Sequence, residues 1–178
     1  LEYLIQDAKQ TILKFNNEYE ILHIFVTKLT VDENKIDDFQ KIEKCNKITL
    51  DLLFICIPLK KIEYFQKLFS NNHININKIL SSSYSKTFYL INNSNIDYED
   101  KIFIDLGFKK TAVLFYNKNI LKYFDIIPVG SNHINKDLIK ILNIDYASSE
   151  IIKKNFHKKD FFLSHKYKSI AENFKITK

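Results

Sequence analysis

Two glycines, Gly107 and Gly130, and two prolines, Pro58 and Pro128, are all that 178 residues contain. Glycine lets a backbone take positive φ or approach a phosphate closely, and proline stiffens linkers. A chain this poor in both excludes glycine-rich phosphate cradles, collagen-like repeats and Gly/Pro linkers. With 46% apolar and 14% aromatic residues it can bury a core, so low-hydrophobicity disorder is excluded for most of its length. The length suits one ordinary domain or two small subdomains. No run reaches the roughly 18–20 apolar residues that a bilayer span needs. The longest candidate, Leu50 to Leu59, is interrupted by Asp51 and ended by Lys60. No secretory signal is expected, and the absence of an initiator Met gives the expectation that the chain is an excised piece of a longer protein whose true N-terminus lies upstream.

The formal charge is +6, and every cation is Lys; Arg, Met and Trp are absent. Ile, Lys, Asn and Phe dominate, as in an AT-biased genome, so the Lys count is partly compositional drift. Asp and Glu are interleaved with the lysines, and base readout and bidentate phosphate contacts favour the missing Arg. Nucleic acid is therefore not an expected partner. The most basic tract, Lys153, Lys154, His157, Lys158 and Lys159, reads as a solvated helix end. Cys45 and Cys56 are too few for a disulfide framework and lack a CxxC spacing, which favours a reducing cytoplasm; they could pair across a hairpin, but two scattered core thiols is the simpler reading. The five histidines show no tight ligand spacing with Cys or carboxylates, so no metal site is expected, and no spacing supports a nucleophilic triad.

Periodicity predicts a mixed α+β order. Residues 1–16 are expected to form an amphipathic helix with Leu4, Ile5, Ala8, Ile12, Leu13 and Phe15 on one stripe. Residues 20–32 and 48–57 are strands rich in β-branched and aromatic residues, separated by a polar loop or small edge element. Pro58 suits the first turn of a helix carrying Ile62, Phe65, Leu68 and Phe69. A strand is expected over 74–80, then a polar turn over 81–85 and a short helix over 87–91. Residues 92–100 are polar and aperiodic and form the best boundary. Three strands follow over 101–106, 112–116 and 120–127, with an Asn117-Lys118-Asn119 hairpin turn, then helices over 135–143 and 146–155 and a Lys- and Phe-rich tail from Lys158.

The segment with chemical content is Asp105-Leu106-Gly107, a tight turn, and a second strand containing Thr111. An acid at a strand end can hold a metal-bound water, and the N–H groups of a turn can reach a phosphate when small side chains allow it. From this segment alone, an ordinary hairpin with one Gly in a left-handed position is the simpler reading.

Its context resembles the FtsA family of actin-like cell-division proteins. That family shows D-x-G-G-G-T-T-D at the strand turn, then I-P-x-G-G-N-x-I/V-T-x-D-I and an A-E-x-I-K helix. Here Ile127 to Leu138 reads IPVGSNHINKDL and Ser149 to Lys153 reads SEIIK. Upstream, Ile21-Leu22-His23-Ile24 is similar to an I-L-H-V strand, Leu29 to Asp32 to the Y-x-I-D that follows, and Ser82 to Ser85 to part of A-S-S-Y-S. The resemblance implies an SHS2-type docking subdomain at 1–76 with its first strand missing, a return segment and linker at 77–100, and an actin-like, RNase H-like subdomain at 101–178. A pilus-assembly actin homologue shares the later motifs.

The turn departs from the family pattern: Phe108 and Lys109 replace two glycines, Lys110 stands at the first Thr, and Ala112 replaces the following Asp. The resemblance implies ATP with Mg held weakly or not at all, through Asp105, Gly107, Lys109, Lys110, Thr111 and Gly130, and no catalytic residues. It further implies a non-enzymatic scaffold at the cytoplasmic face of the inner membrane at the division site. Its partners would be an FtsZ-like polymer, later division proteins and other copies of itself, with membrane attachment through a segment outside this chain. An ATPase of the same superfamily is the alternative, disfavoured because phosphoryl transfer needs its glycine turn and acids intact.

Overall fold

A computed structural model describes residues 1–35, 45–93 and 98–157. The element order is α1 (Glu2–Phe15), β1 (Tyr19–Val31), β2 (Asn34–Lys35), β3 (Ile48–Pro58), α2 (Leu59–Ser70), α3 (Ser82–Asn93), β4 (Asp100–Leu106), β5 (Thr111–Asn117), β6 (Ile120–Ile127), α4 (Ser131–Leu142) and α5 (Tyr146–Asn155). Two compact units result, Leu1–Phe103 with Val113–Asp125, and Ile104–Ala112 with Ile126–Lys178. The expected tail from Lys158 lies outside the described residues.

The first sheet has the order β2-β1-β3, antiparallel throughout. Val31 pairs with Asn34, leaving Asp32 and Glu33 as a two-residue loop at φ 46° and 73°, the handed turn that suits strand twist. The Asp32 carboxylate accepts the backbone N–H groups of Asn46 (2.9 Å) and Lys47 (2.8 Å), tying the start of β3 to this hairpin. Pairing of β1 with β3 slips twice, between Ile21 and His23 and between Val26 and Lys28; each bulge re-aims the side chains that follow it. Leu29, Val31 and Ile55 are buried here, and α2 contributes Ile62.

Two expectations are corrected in this half. Residues 74–80 form no strand: only Ile76 and Ile79 turn inward, a spacing of three rather than the alternation a strand needs. The polar turn expected over 81–85 is instead the first turn of α3. Ser81 O accepts from the N–H (2.9 Å) and the hydroxyl (2.9 Å) of Ser85, so serines read as a loop nucleate the helix.

His23 ties β1 to that helix start, its Nε2 accepting the Ser81 N–H at 3.1 Å. The ring lies 4.8 Å from that of Tyr84, which in turn meets Phe25 (4.9 Å) and Phe88 (5.9 Å). Burial, and secondarily Lys78, holds the His23 pKa below its usual value. The folded state therefore takes up this proton less readily than the unfolded chain. Stability is complete above the unfolded value of about 6.5 and falls as pH drops below it. Thermal melts between pH 7.5 and 5.5 should show a decline that His23→Gln flattens; equal slopes in the two proteins would refute this role.

The second sheet has the order β4-β5-β6. Residues 107–110 join β4 to β5 and residues 118–119 join β5 to β6, connections short enough only for antiparallel neighbours. Lys118 and Asn119 both have positive φ, 48° and 64°, as the expected Asn-Lys-Asn hairpin requires. Ala112, Leu114 and Tyr116 alternate along β5 as buried residues. The Tyr116 hydroxyl meets Thr87 Oγ1 at 2.6 Å, and Thr87 Oγ1 also donates to Tyr84 O at 3.0 Å, so the phenol is the donor to Thr87. Thr87→Val strands that buried phenol and should cost about 1–3 kcal/mol, whereas Tyr116→Phe leaves Thr87 bonded and should cost about 1 kcal/mol. Urea unfolding of the two variants measures the order, and a costlier Tyr116→Phe would reverse the assignment.

A candidate phosphate turn at the start of α4

Residues 104–112 and 126–157 form a self-contained arrangement around residues 107–110. The Gly107 N–H donates to Lys110 O at 2.9 Å, closing the turn. No glycine has positive φ, so Gly107 is not the left-handed residue of an ordinary hairpin. Its value is space: an added Cβ would lie 2.8 Å from Lys110 O.

Gly130 is more tightly enclosed. It precedes α4 at φ −145° and ψ −176°, extended values that any residue adopts. A Cβ there would lie 2.5 Å from Gly107 O, 2.7 Å from Lys110 N and 2.7 Å from the Phe108 carbonyl carbon. All three are backbone atoms with no rotamer to escape into. The close approach delivers the turn to the helix start. Ser131 N–H donates to Gly107 O and Asn132 N–H to Phe108 O, both at 2.9 Å, and His133 N–H donates to Gly130 O at 2.9 Å. The Gly130 N–H is itself taken by His133 Nδ1 at 3.0 Å, and the Thr111 hydroxyl donates to Val129 O at 2.6 Å.

Helix starts bind phosphate because their first N–H groups lack intrahelical partners. In α4 those donors are satisfied from within, by the carbonyls of the turn and by a ring nitrogen. The structure thus brings Gly107, Lys109, Lys110, Thr111 and Gly130 together, with Asp105 half-buried two residues earlier on β4. Phe108, Lys109 and Lys110 are exposed at the tip. What the tip offers an anion is the charge and N–H donors of two exposed lysines, beside a phenyl ring that donates nothing.

α4 begins at Ser131, earlier than the Asn135 start that periodicity gave and in line with the Gly130 to Leu142 helix expected beside the sheet. Its end is an Asn143 at φ 50°, the left-handed cap that stops helices. Asp145 then caps α5, accepting the Ser148 N–H and hydroxyl at 2.8 Å each, bonds that hold its carboxyl below the usual range. Asn135 joins the two helices. It is fully buried, and its Nδ2 donates to Glu150 Oε1 and to Tyr146 Oη (3.2 Å). Hydrogen bonds from Lys153 first and Asn135 second pull the Glu150 pKa down to about 2. Lys154 adds a longer pair at 3.5 Å. Asn135 carried no such signal in the sequence, where it is one polar residue among several on α4.

A family model described as cell division protein FtsA matches residues 102–161, the stretch that contains this arrangement. The chain is 22% identical over 138 residues to cell division protein FtsA from each of two Helicobacter pylori strains, an alignment covering 78% of this chain and 28% of each relative. It therefore spans little more than a quarter of the curated relatives it matches. Among solved structures, a chain of a PilM-PilN type IV pilus biogenesis complex superposes with a TM-score of 0.63 at 9% identity, covering 98% of this chain and 52% of that one. Likeness at that identity speaks to fold alone. The sequence is FtsA-like and divergent, on a mixed α/β fold of the actin-like kind.

Proposed function

We propose that this chain is part of a non-enzymatic cell-division scaffold. It would link an FtsZ-like polymer and later division proteins to the cytoplasmic face of the inner membrane and self-associate through actin-like contacts. Attachment to the membrane would use a segment outside these 178 residues. The similarity to division proteins supports the setting, and the turn supports the absence of phosphoryl transfer. The observation that carries the second point is the loss of the α4 donors: Ser131 and Asn132 N–H groups face carbonyls of the turn. A triphosphate would have to displace those bonds and pass Phe108, while Asp105, Gly107, Lys109, Lys110, Thr111 and Gly130 offer little beyond charge in exchange. The residues fit ATP with Mg poorly.

Titration calorimetry of the full-length protein with Mg-ATP should give no saturable heat below about 1 mM, an affinity near 4 kcal/mol. Micromolar binding would overturn this reading of the turn, and phosphate release near the roughly 1 s⁻¹ of slow kinases would favour an enzyme. A pilus-assembly role is the second reading, favoured by the fold shared with the PilM-PilN complex chain. Co-sedimentation with a tubulin-like division polymer separates the two.

A further inference from the structure

We propose that His133 is a proton-operated latch on the start of α4: its neutral ring holds the Gly130 N–H, and uptake of a proton releases it. This rests on the reading of that helix start as satisfied from within, and adds the condition under which it stays so.

The peptide group between Val129 and Gly130 is held at both ends. Its carbonyl, Val129 O, accepts the Thr111 hydroxyl at 2.6 Å, and its N–H donates to His133 Nδ1 at 3.0 Å. Gly130 is buried, with backbone of Gly107, Phe108 and Lys110 packed where a Cβ would stand. The peptide group therefore has little room to turn toward another acceptor. The ring nitrogen that serves it must carry a lone pair, so the neutral ring keeps its proton on Nε2.

Histidine is the side chain that changes charge between about pH 5 and 8. The His133 ring is only partly buried, so solvent can supply the proton. A protonated Nδ1 has no lone pair and aims an N–H at the Gly130 N–H. The same nitrogen lies 3.3 Å from Gly130 O, which already accepts the His133 N–H at 2.9 Å and has a second lone pair. The ring can thus swing from accepting at the N–H of Gly130 to donating at its carbonyl. The bond lost is the one to a buried backbone N–H, a group that is unfavourable without an acceptor. The new charge also sits at the positive end of the α4 dipole.

The charged groups on the elements that meet here are Lys109 and Lys110 in the turn, Asp105 on β4, and Lys136 and Asp137 one turn along α4. On α5, Asp145 holds Ser148, and Glu150 is taken by Asn135 and Lys153. The two lysines of the turn, like the charged ring, have no lone pair with which to accept the released N–H.

The test is nuclear magnetic resonance on isotope-labelled full-length protein, with a valine-carbonyl and glycine-nitrogen label pair to pick out the Gly130 amide. At pH 8 the His133 ring should carry its proton on Nε2. From pH 8 to 5.5 the Gly130 amide proton should move upfield with the same midpoint as the ring. Its exchange, relative to an unstructured peptide at each pH, should quicken about tenfold, the loss of one ordinary hydrogen bond. His133→Gln should abolish both responses. A proton on Nδ1 at pH 8, a ring that stays neutral throughout, a Gly130 amide indifferent to the titrating ring, or a response that survives in His133→Gln overturns the latch. Ser131 and Asn132 amides that exchange freely at pH 8 would overturn the reading of the turn itself, and the latch with it.

Discussion

Replacing Leu114 with Ala is expected to cost about 2–5 kcal/mol, the range for emptying a fully enclosed site. Leu114 is 0% exposed and is the middle member of the buried series Ala112, Leu114 and Tyr116 on the central strand of its sheet. A strand with neighbours on both sides cannot shift to close the gap without breaking its ladders, so little of the cavity should be relieved by relaxation. Urea unfolding followed by circular dichroism measures the loss. Ile104→Ala, 68% exposed on the neighbouring strand, is the control and should stay within about 0.5 kcal/mol. Comparable costs at the two positions would mean that β5 is not the packed centre described here.

That contrast shows what the sequence displays and what it conceals. β-branched and aromatic composition made β1 and β3 legible, and short apolar runs bounded by polar turns did the same for β4, β5 and β6, each to within a residue or two. The helices α1, α2 and α5 were equally plain. Errors fall where local polar groups decide. The ININKIL run at 74–80 has strand composition but the wrong spacing of inward residues. The serines that open α3 read as a polar turn, although short polar side chains and backbone carbonyls are what a helix start needs.

The candidate site divides the same way. The bulky side chains in the turn were visible against the glycines of the family pattern, so weak phosphate affinity was an expectation that rested on the resemblance. The capture of the Ser131 and Asn132 N–H groups by Gly107 O and Phe108 O was not, since backbone groups are identical in every residue and leave no trace in composition. Nor was the buried link from Asn135 to Glu150, which depends on how two helices face each other rather than on spacing within either.

Gly130→Ala is the substitution that tests the site itself. One methyl placed 2.5–2.7 Å from three backbone atoms has no flexible neighbour to push aside, so the cost should reach about 3 kcal/mol, the upper end for overpacking. Gly107→Ala meets backbone at 2.8 Å only at the Lys110 carbonyl and should cost less. The two routes by which the protein can accommodate the added methyl at Gly130 are distinguishable by amide exchange. Should the turn and α4 stay together, Ser131 and Asn132 remain protected while the global unfolding free energy falls. Should the turn withdraw, those two amides lose their acceptors and exchange far faster than the rest of α4. The second outcome would also return two donors to the helix start, so the same variant should then bind inorganic phosphate more tightly than the wild type. Unchanged stability with unchanged exchange would mean that the turn does not lie against Gly130, and the account of a self-satisfied helix start would fall with it.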